Sequence, residues 1–254
     1  MERIKPYGFD EIKKNPQRVE AVKLRKELEK VYSDYFMEHT ELFRVMQRAL
    51  CQCFPAKYLK ISLDEKVKEK FGIYDRFLVV SKKVIGFQQW EHSWISNLDL
   101  VKDNHRKLLI NYADEVKNKA KKTMKEKLSE ILDFLQYLDK IGLDTEFKVS
   151  GQEFSLAQLQ GEKKKKITVV CRNSRCSIVS TANSSSYYWR EELDFERYHD
   201  CIDYYHKLPE IVSLLRATLS MVKEKLELIR QIKASEEFLS IKEFVLLYEG
   251  LSEL

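Results

Sequence analysis

The stretch KKKKITVVCRNSRCSIVSTANSSSYYW, residues 163–189, stands out in a chain whose other segments mostly read as helical. Two runs rich in β-branched residues flank Asn173-Ser174, which predicts a β-hairpin closed by a two-residue turn. With this turn, the strand register pairs Arg172 with Arg175, Cys171 with Cys176, Val170 with Ser177 and Val169 with Ile178. The chain is therefore expected to contain a sheet as well as helices.

The composition predicts long helices around that sheet. The 254 residues include 7 glycines and 4 prolines, so few residues interrupt regular structure. We predict a mainly α (α+β) fold, a bundle of long antiparallel helices with a small inserted antiparallel β-hairpin sheet. In this interpretation 1–140 forms a helical part with one hairpin at about 77–87, 141–189 forms the inserted hairpins, and 190–254 completes the same composite domain.

Local signals place the elements. Asn15 is suited to cap a first helix that has Pro16 at its first position and ends near Phe54-Pro55. A long helix is expected from Leu98 to Lys140, ended by Gly142, and Ser150-Gly151 resembles a hairpin turn. Further predicted elements are a helix at 64–70, strands at 77–80 and 84–87, a polar loop at 180–189, and helices at 190–206, 209–234 and 235–249.

The chain lacks an apolar run long enough to cross a bilayer, and its N-terminal residues lack a signal-peptide core. We therefore expect a cytoplasmic, intracellular protein without membrane contact. Five cysteines, an odd number, favour reduced thiols over a disulfide framework. Two alternatives stay open: a cross-strand Cys171–Cys176 disulfide, and a zinc site that also uses Cys51 and Cys53.

Positive charge is concentrated in two places, although the formal net charge is only +5. Residues 104–127 contain 8 cations and 3 acids, and residues 160–176 contain 6 cations and 1 acid. Such clusters favour contact with phosphates, although a Lys-rich helix is more often a solvated face. The expected nucleic-acid contacts are Lys117, Lys121, Lys122 and Lys125 on one helical ridge, Lys163, Lys164, Lys165, Lys166, Arg172 and Arg175 at the hairpin, and Tyr187 and Tyr188 as base-stacking residues.

Support for catalysis is weaker. On a helix, Glu196, His199, Asp203 and His206 would share one face, and Glu-x-x-His is half of a di-metal signature in helical bundles. The second Glu-x-x-His is absent from the sequence, so these residues are expected to flank a core face in water. Nucleophile and nucleotide-binding motifs are also absent, and no cofactor is predicted. Trp90 and Trp94 are expected to anchor the first hairpin to the bundle.

These observations predict a non-catalytic protein that binds the backbone of RNA or DNA with little base specificity. Its setting could be a ribonucleoprotein, a viral replication apparatus or a mobile-element system. The alternative is a protein-interaction or assembly subunit, including a homo-oligomer, that pairs its long helices with a partner. A third hypothesis is a metal-dependent helical-bundle enzyme.

Overall fold

The computed structural model describes residues 14–143, 145–158, 161–184, 187–192 and 205–250, and they form a mainly helical α+β structure, which confirms the predicted class. The helices are α1 (Pro16–Gln52), α2 (Glu65–Phe71), α3 (Asp103–Asn111), α4 (Ala113–Lys119), α5 (Lys125–Lys140), α6 (Leu208–Lys233) and α7 (Glu236–Gly250). Single 3-10 turns lie at Lys122–Met124 and Tyr205–Lys207.

The strands form two antiparallel sheets of four strands each. The first contains β1 (Leu59–Ser62), β2 (Phe77–Val80), β3 (Ile85–Gln88) and β4 (Ser96–Asn97), and the second contains β5 (Phe147–Gln158), β6 (Gly161–Arg172), β7 (Arg175–Ser184) and β8 (Tyr187–Glu192). In both sheets the spatial order follows the chain order. Antiparallel neighbours can be joined by a short turn, as β2 and β3 are, whereas the segment between β1 and β2 contains α2.

The chain divides into two compact units. The first comprises Met1–Phe36 and Glu146–Leu228, and the second comprises Met37–Thr145 and Ile229–Leu254. These boundaries differ from the predicted division at residues 140 and 190. Each unit is built from two separate segments of the chain, and α1 and α6 each contribute residues to both.

Asn15 caps the N-terminal end of α1, as the sequence predicts. The side-chain oxygen of Asn15 accepts hydrogen bonds from the backbone N–H groups of Gln17 (2.9 Å) and Arg18 (3.2 Å). These groups have no carbonyl partner in the first helical turn, so the cap stabilises the helix start. The helix ends at Gln52, close to the predicted Phe54-Pro55.

In the first unit, α1 and α6 run in the same direction. Glu27 accepts a hydrogen bond from Lys223 at 2.7 Å, and Glu20 pairs with Arg216. Both pairs advance by seven residues along each helix, so these two helices, which are not consecutive in the chain, are parallel. Tyr35 of α1 contacts Phe147 of β5 edge to face, with ring centroids 4.9 Å apart, and joins this helix to the second sheet.

The predicted hairpin turn at Ser150-Gly151 is wrong, because both residues lie inside β5 at a β-bulge. A Cβ on Gly151 would lie 2.0 Å from Oε1 of Glu210, and the same oxygen accepts a hydrogen bond from the backbone N–H of Gln152 at 3.1 Å. Glycine at this position leaves room for the carboxylate of Glu210 beside the backbone and does not form a turn.

In the second unit, the predicted single helix from Leu98 to Lys140 is three helices, α3, α4 and α5, with Ala120 in an extended conformation. The break follows from a tertiary contact, because the backbone N–H of Lys121 donates to the carbonyl of Cys53 at 3.0 Å. The expected end at Gly142 is confirmed, with φ of 66°. The structure buries the following apolar residues of that range: Leu98, Leu100, Leu108, Leu109, Tyr112, Val116, Leu128, Ile131, Leu132, Phe134, Leu135 and Leu138.

The remaining predictions have mixed outcomes. The structure confirms three predicted helices, at 64–70, 209–234 and 235–249, and the first hairpin. Each observed end lies within one residue of the predicted end. The predicted polar loop at 180–189 is wrong, because β7 continues to Ser184 and β8 begins at Tyr187. The helix predicted at 190–206 falls mostly outside the described residues, and residues 190–192 belong to β8. Within the described ranges, no helix has the length and apolar character needed to cross a membrane.

Candidate functional site

The strand structure of β6 divides the four consecutive lysines between two sides of the second sheet. Successive side chains of a strand point to opposite faces. Lys164 and Lys166 are accordingly exposed, whereas Lys165 is only 9% exposed and lies on the same side as the buried Ile167. Because it is buried, Lys165 is not part of the exposed cationic surface, and its predicted contact with nucleic acid stays a prediction. The side chain of Lys163 lies outside the described part of the chain.

The hairpin between β6 and β7 has the predicted register. Arg172 pairs with Arg175 and Cys171 with Cys176, and the turn residues Asn173 and Ser174 have φ angles of 50° and 62°. Two consecutive positive φ angles are typical of the type I′ turn, whose twist matches that of the strands. Both arginines are exposed, so this tip is not packed against helices.

The register places five exposed cations on the same face of the second sheet, which we call the basic sheet face. Its cations are Lys148 of β5, Lys164, Lys166 and Arg172 of β6, and Arg175 of β7. They form two groups, because Val170 and Val179 on this face are buried between the lysine pair and the three cations near the hairpin tip. From Lys164 to Arg172 the strand rises by roughly 27 Å. The face thus suits an extended anion better than a compact one.

Hydroxyl and carboxylate groups complete the basic sheet face, which also carries the exposed Glu153 opposite Lys166 and the exposed Glu192 opposite Val179. Oγ of Ser150 and Oγ1 of Thr168 are 2.9 Å apart across β5 and β6. Glu146 contacts both Nζ of Lys148 (3.1 Å) and Nε of Arg172 (2.9 Å). The Arg172 side chain is 63% exposed, so water and salt screen this pair and it contributes about 1 kcal/mol at most. A competing phosphate could therefore replace the Glu146 carboxylate at little cost.

The cysteines of the hairpin are joined as a disulfide, which differs from the expected reduced thiols. Cys171 and Cys176 form the pair next to the last hydrogen-bonded pair of the hairpin, and their Cα atoms are 4.1 Å apart. Side chains approach most closely at such non-hydrogen-bonded pairs. The disulfide uses both thiols, so the alternative of a zinc site with Cys51 and Cys53 does not fit the structure.

The predicted basic ridge on one long helix does not exist. Lys117 lies in α4, Lys122 in a 3-10 turn and Lys125 at the start of α5. Lys121 lies between these helices, and its Nζ donates to the backbone carbonyl of Gln52 at 3.3 Å. This contact satisfies a free carbonyl at the C-terminal end of α1, so Lys121 has a structural role.

The structure describes only one of the four residues that were considered as metal ligands. Glu196, His199 and Asp203 lie outside the described residues, and His206 is exposed. In the described ranges there is no group of three His, Cys, Asp or Glu side chains arranged to hold a metal ion. Tyr187 and Tyr188 begin β8, but their side chains are also outside the described part, so their stacking role stays a prediction.

Trp90 and Trp94 do not anchor the first hairpin to a helical core. Trp94 is 88% exposed and Trp90 is 53% exposed. The guanidinium carbon of Arg76 lies 4.2 Å from the centroid of the Trp90 ring, a cation–π contact at the surface. In the hairpin strands Phe77 is half-buried, and Leu78, Val79, Val80, Ile85 and Phe87 are buried.

Sequence reasoning missed a basic pocket in the second unit. Arg44 and Arg48 of α1 and the adjacent Lys82 and Lys83 of the β2–β3 turn line it. The signal was available in part, since the two arginines are four residues apart on a predicted helix and the two lysines lie in a predicted hairpin connection. Nothing in the sequence showed that the helix end and this turn are neighbours.

Comparison with known proteins does not place this chain in a family. No family model matches it, and neither the curated proteins nor the solved structures contain a match.

Proposed function

We propose that this protein binds the phosphate backbone of nucleic acid through the basic sheet face and has no catalytic role in that function. One observation carries the proposal: the register of β5, β6 and β7 places five exposed cations on one face of one sheet. The basic helical ridge, which was the other part of the predicted interface, is not included.

The physical basis is the exchange of condensed counterions for fixed positive charges. A protein that neutralises phosphates releases counterions, so its affinity falls steeply as salt rises. The two cation groups of the basic sheet face can contact separate phosphates of one extended strand. Surface hydroxyls such as Ser150 and Thr168 can donate to phosphate oxygens but do not read base sequence. We therefore expect weak dependence on sequence, for both RNA and DNA.

The test is fluorescence polarisation of the full chain with labelled 20-nucleotide RNA and DNA strands over a range of salt concentrations. Five phosphate contacts predict a slope of log K against log salt of about −3.5 for single strands. Lys164→Gln/Lys166→Gln should reduce the slope to about −2. The matched control is Lys122→Gln/Lys125→Gln, which removes the same charge from exposed lysines of the second unit and should leave the slope near that of the native chain.

Two results would contradict the proposal. One is no measurable binding at low salt, and the other is an equal loss of affinity in the two double variants. The second result would mean that net charge, rather than the arrangement of the basic sheet face, governs the interaction.

A second candidate function is self-association or protein binding through α7. Leu239, Leu246 and Leu247 are 45%, 60% and 62% exposed, and their spacing of seven and eight residues places them on one side of the helix. Light scattering coupled to size-exclusion chromatography tests this function. A stable dimer that Leu246→Gln/Leu247→Gln converts to monomer would support it, and a monomeric native chain would rule out self-association.

A further inference from the structure

The turn between β6 and β7 lies inside a loop that a disulfide closes. Cys171 and Cys176 are cross-linked, and residues 172–175, with the sequence Arg-Asn-Ser-Arg, lie between them. We call residues 171–176 the cross-linked tip. The four residues inside the loop are exposed. Two of the five cations of the basic sheet face, Arg172 and Arg175, therefore belong to the cross-linked tip.

The backbone of the turn has a conformation that one of its residues disfavours. Asn173 and Ser174 have φ angles of 50° and 62°, both in the left-handed region. Asparagine enters this region readily, whereas the second position of a type I′ turn favours glycine, because a Cβ raises the free energy there. Ser174 occupies that position, and its hydrogen bond to the carbonyl oxygen of Asn173 (2.6 Å) is exposed to water. The cross-link holds the two strands together beside this turn and so offsets the unfavourable residue.

Two other contacts of the cross-linked tip are weak. Arg172 and Arg175 form the last pair of the ladder, and the ends of a hairpin open more easily than its middle. Nε of Arg172 lies 2.9 Å from Oε1 of Glu146, but the Arg172 side chain is exposed and such pairs contribute little. The disulfide is therefore the strongest restraint that the structure shows on the two arginines.

The base of the cross-linked tip is anchored to the sheet and to α1. Cys171 pairs with Phe147 of β5, whose ring meets the ring of Tyr35 edge to face. Cys171 and Cys176 are 0% and 5% exposed, so after reduction their thiols would stay packed as small apolar groups. Loss of the cross-link is expected to loosen residues 172–175 and to leave the rest of the sheet folded.

The other described cysteines are poor partners for thiol exchange. Cys51 and Cys53 are free thiols of the second unit, and burial raises their pKa to about 11 and about 12. The thiolate is the attacking species, so both groups are unreactive at neutral pH. The disulfide is thus expected to respond to thiols in solution rather than to these two.

We propose that the Cys171–Cys176 disulfide is a redox switch of the basic sheet face, and that the oxidised tip binds nucleic acid more tightly than the reduced tip. The inference rests on the proposed function, because it concerns the regulation of the same surface. The reductant is a dithiol. Its thiolate attacks one sulfur of the pair, and its second thiol resolves the mixed disulfide, so the dithiol becomes a disulfide and each cysteine gains a proton.

The cross-link acts on affinity by holding the arginines in place before binding. The reduced tip must be ordered on binding, which lowers affinity without changing the number of phosphates neutralised. Reduction should therefore weaken binding about tenfold at each salt concentration and leave the slope of log K against log salt near about −3.5. Arg172→Gln/Arg175→Gln removes two contacts and should instead lower the slope to about −2.

Fluorescence polarisation of the full chain with the labelled RNA strand, before and after reduction by dithiothreitol, tests the inference. Alkylation followed by peptide mass spectrometry verifies the state of Cys171 and Cys176. The native chain should lose about tenfold in affinity on reduction. Arg172→Gln/Arg175→Gln should change by less than about twofold, because the residues through which the cross-link acts are absent. Lys164→Gln/Lys166→Gln is the matched control and should keep the tenfold redox effect, because the cross-linked tip is unchanged.

Ser174→Gly tests the physical cause. Glycine fits the second position of the turn, so the reduced variant should keep its tip formed and bind within about twofold of the oxidised native chain. Hydrogen exchange gives a readout without nucleic acid. Reduction should speed exchange of the amides of residues 172–175 in the native chain and have little effect in Ser174→Gly.

Equal affinity of the oxidised and reduced native chains would overturn the inference and leave nucleic-acid binding in place, with the disulfide serving the fold alone. A full redox effect in Arg172→Gln/Arg175→Gln, or a reduced Ser174→Gly that stays tenfold weaker, would overturn it as well. Absence of binding in both redox states would overturn the proposed function and this inference together.

Discussion

At the scale of single residues, Lys121 illustrates how a side chain that looks like part of a charged surface can serve the fold. Its backbone N–H donates to Cys53 and its Nζ donates to the carbonyl of Gln52. The adjacent Lys122 is exposed. Two neighbouring lysines of the same cluster therefore have different roles, and a sequence pattern of charge cannot distinguish them.

This difference predicts that Lys121→Met destabilises the protein by about 1 kcal/mol, because the helix end loses a charged hydrogen-bond donor. Lys122→Met is the control and should change the free energy of unfolding by less than about 0.5 kcal/mol. Urea denaturation followed by circular dichroism measures both. Equal effects of the two substitutions would refute the structural role of Lys121.

His39 predicts a dependence of stability on pH. It is fully buried, its Nε2 lies 3.0 Å from the carbonyl oxygen of Leu143, and burial lowers its pKa to about 4. The folded state therefore holds the neutral ring, while the unfolded chain takes up a proton below its ordinary pKa of about 6.5. Stability is fully present above that value and falls as pH decreases towards 4, by about 3 kcal/mol in total from this residue.

Urea midpoints at pH 7, 5.5 and 4.5 measure the effect. His39→Gln, which keeps an N–H donor for Leu143, should flatten the pH profile. A smaller decline should remain, because desolvation also lowers the pKa of His105. An unchanged profile in His39→Gln would show that His39 does not cause the decline.

At the scale of secondary structure elements, the sequence predicted what depends on neighbours along the chain. The cap at Asn15 and the register from Arg172 to Ile178 are local, because they follow from short-range hydrogen bonds and from a two-residue turn. The break between α4 and α5 is not local. No glycine or proline marks it, and the carbonyl of Cys53 that causes it is 68 residues away from Lys121.

The candidate sites show the same difference between features with local causes and features with long-range causes. Alternation along β6 separates Lys164 and Lys166 from Lys165, and this could have been anticipated from the strand period. The pocket at Arg44 could not, because it depends on the end of α1 meeting the Lys82-Lys83 turn. The turn predicted at Gly151 is wrong for a related reason, because a glycine that leaves room for the Glu210 carboxylate looks the same in sequence as a glycine in a turn.

The bulge in β5 gives a prediction at this scale. Gly151→Ala should destabilise the protein by about 1–2 kcal/mol, because the new Cβ displaces the Glu210 carboxylate and breaks its hydrogen bond to the N–H of Gln152. The same substitution in a Glu210→Ala background should cost less, since the displaced group is absent. A double-mutant cycle from urea denaturation measures this coupling. A coupling energy near zero would contradict the proposed cause.

At the scale of the whole molecule, the chain builds each compact unit from two distant segments. The last helix, α7, belongs with residues 37–145, whereas most of α6 belongs with the second sheet. In the second unit, Phe238, Ile241 and Val245 of α7 are buried, and Nζ of Lys127 donates to Oγ of Ser240 at 3.0 Å. The C-terminal segment is therefore part of the core of that unit.

Deletion of residues 235–254 should destabilise the second unit selectively. The deletion removes three buried apolar side chains and exposes the surface that they covered, which costs roughly 5–8 kcal/mol and is comparable to the whole stability of a typical domain. Hydrogen exchange measured by mass spectrometry should show loss of protection in α3, α4 and α5, while β6 and β7 stay protected. Full-length Leu246→Gln/Leu247→Gln, which changes exposed residues of the same helix, should keep native protection in both units. If both units lost protection equally after the deletion, they would unfold as one cooperative structure. The effect of removing α7 would then not be limited to the second unit.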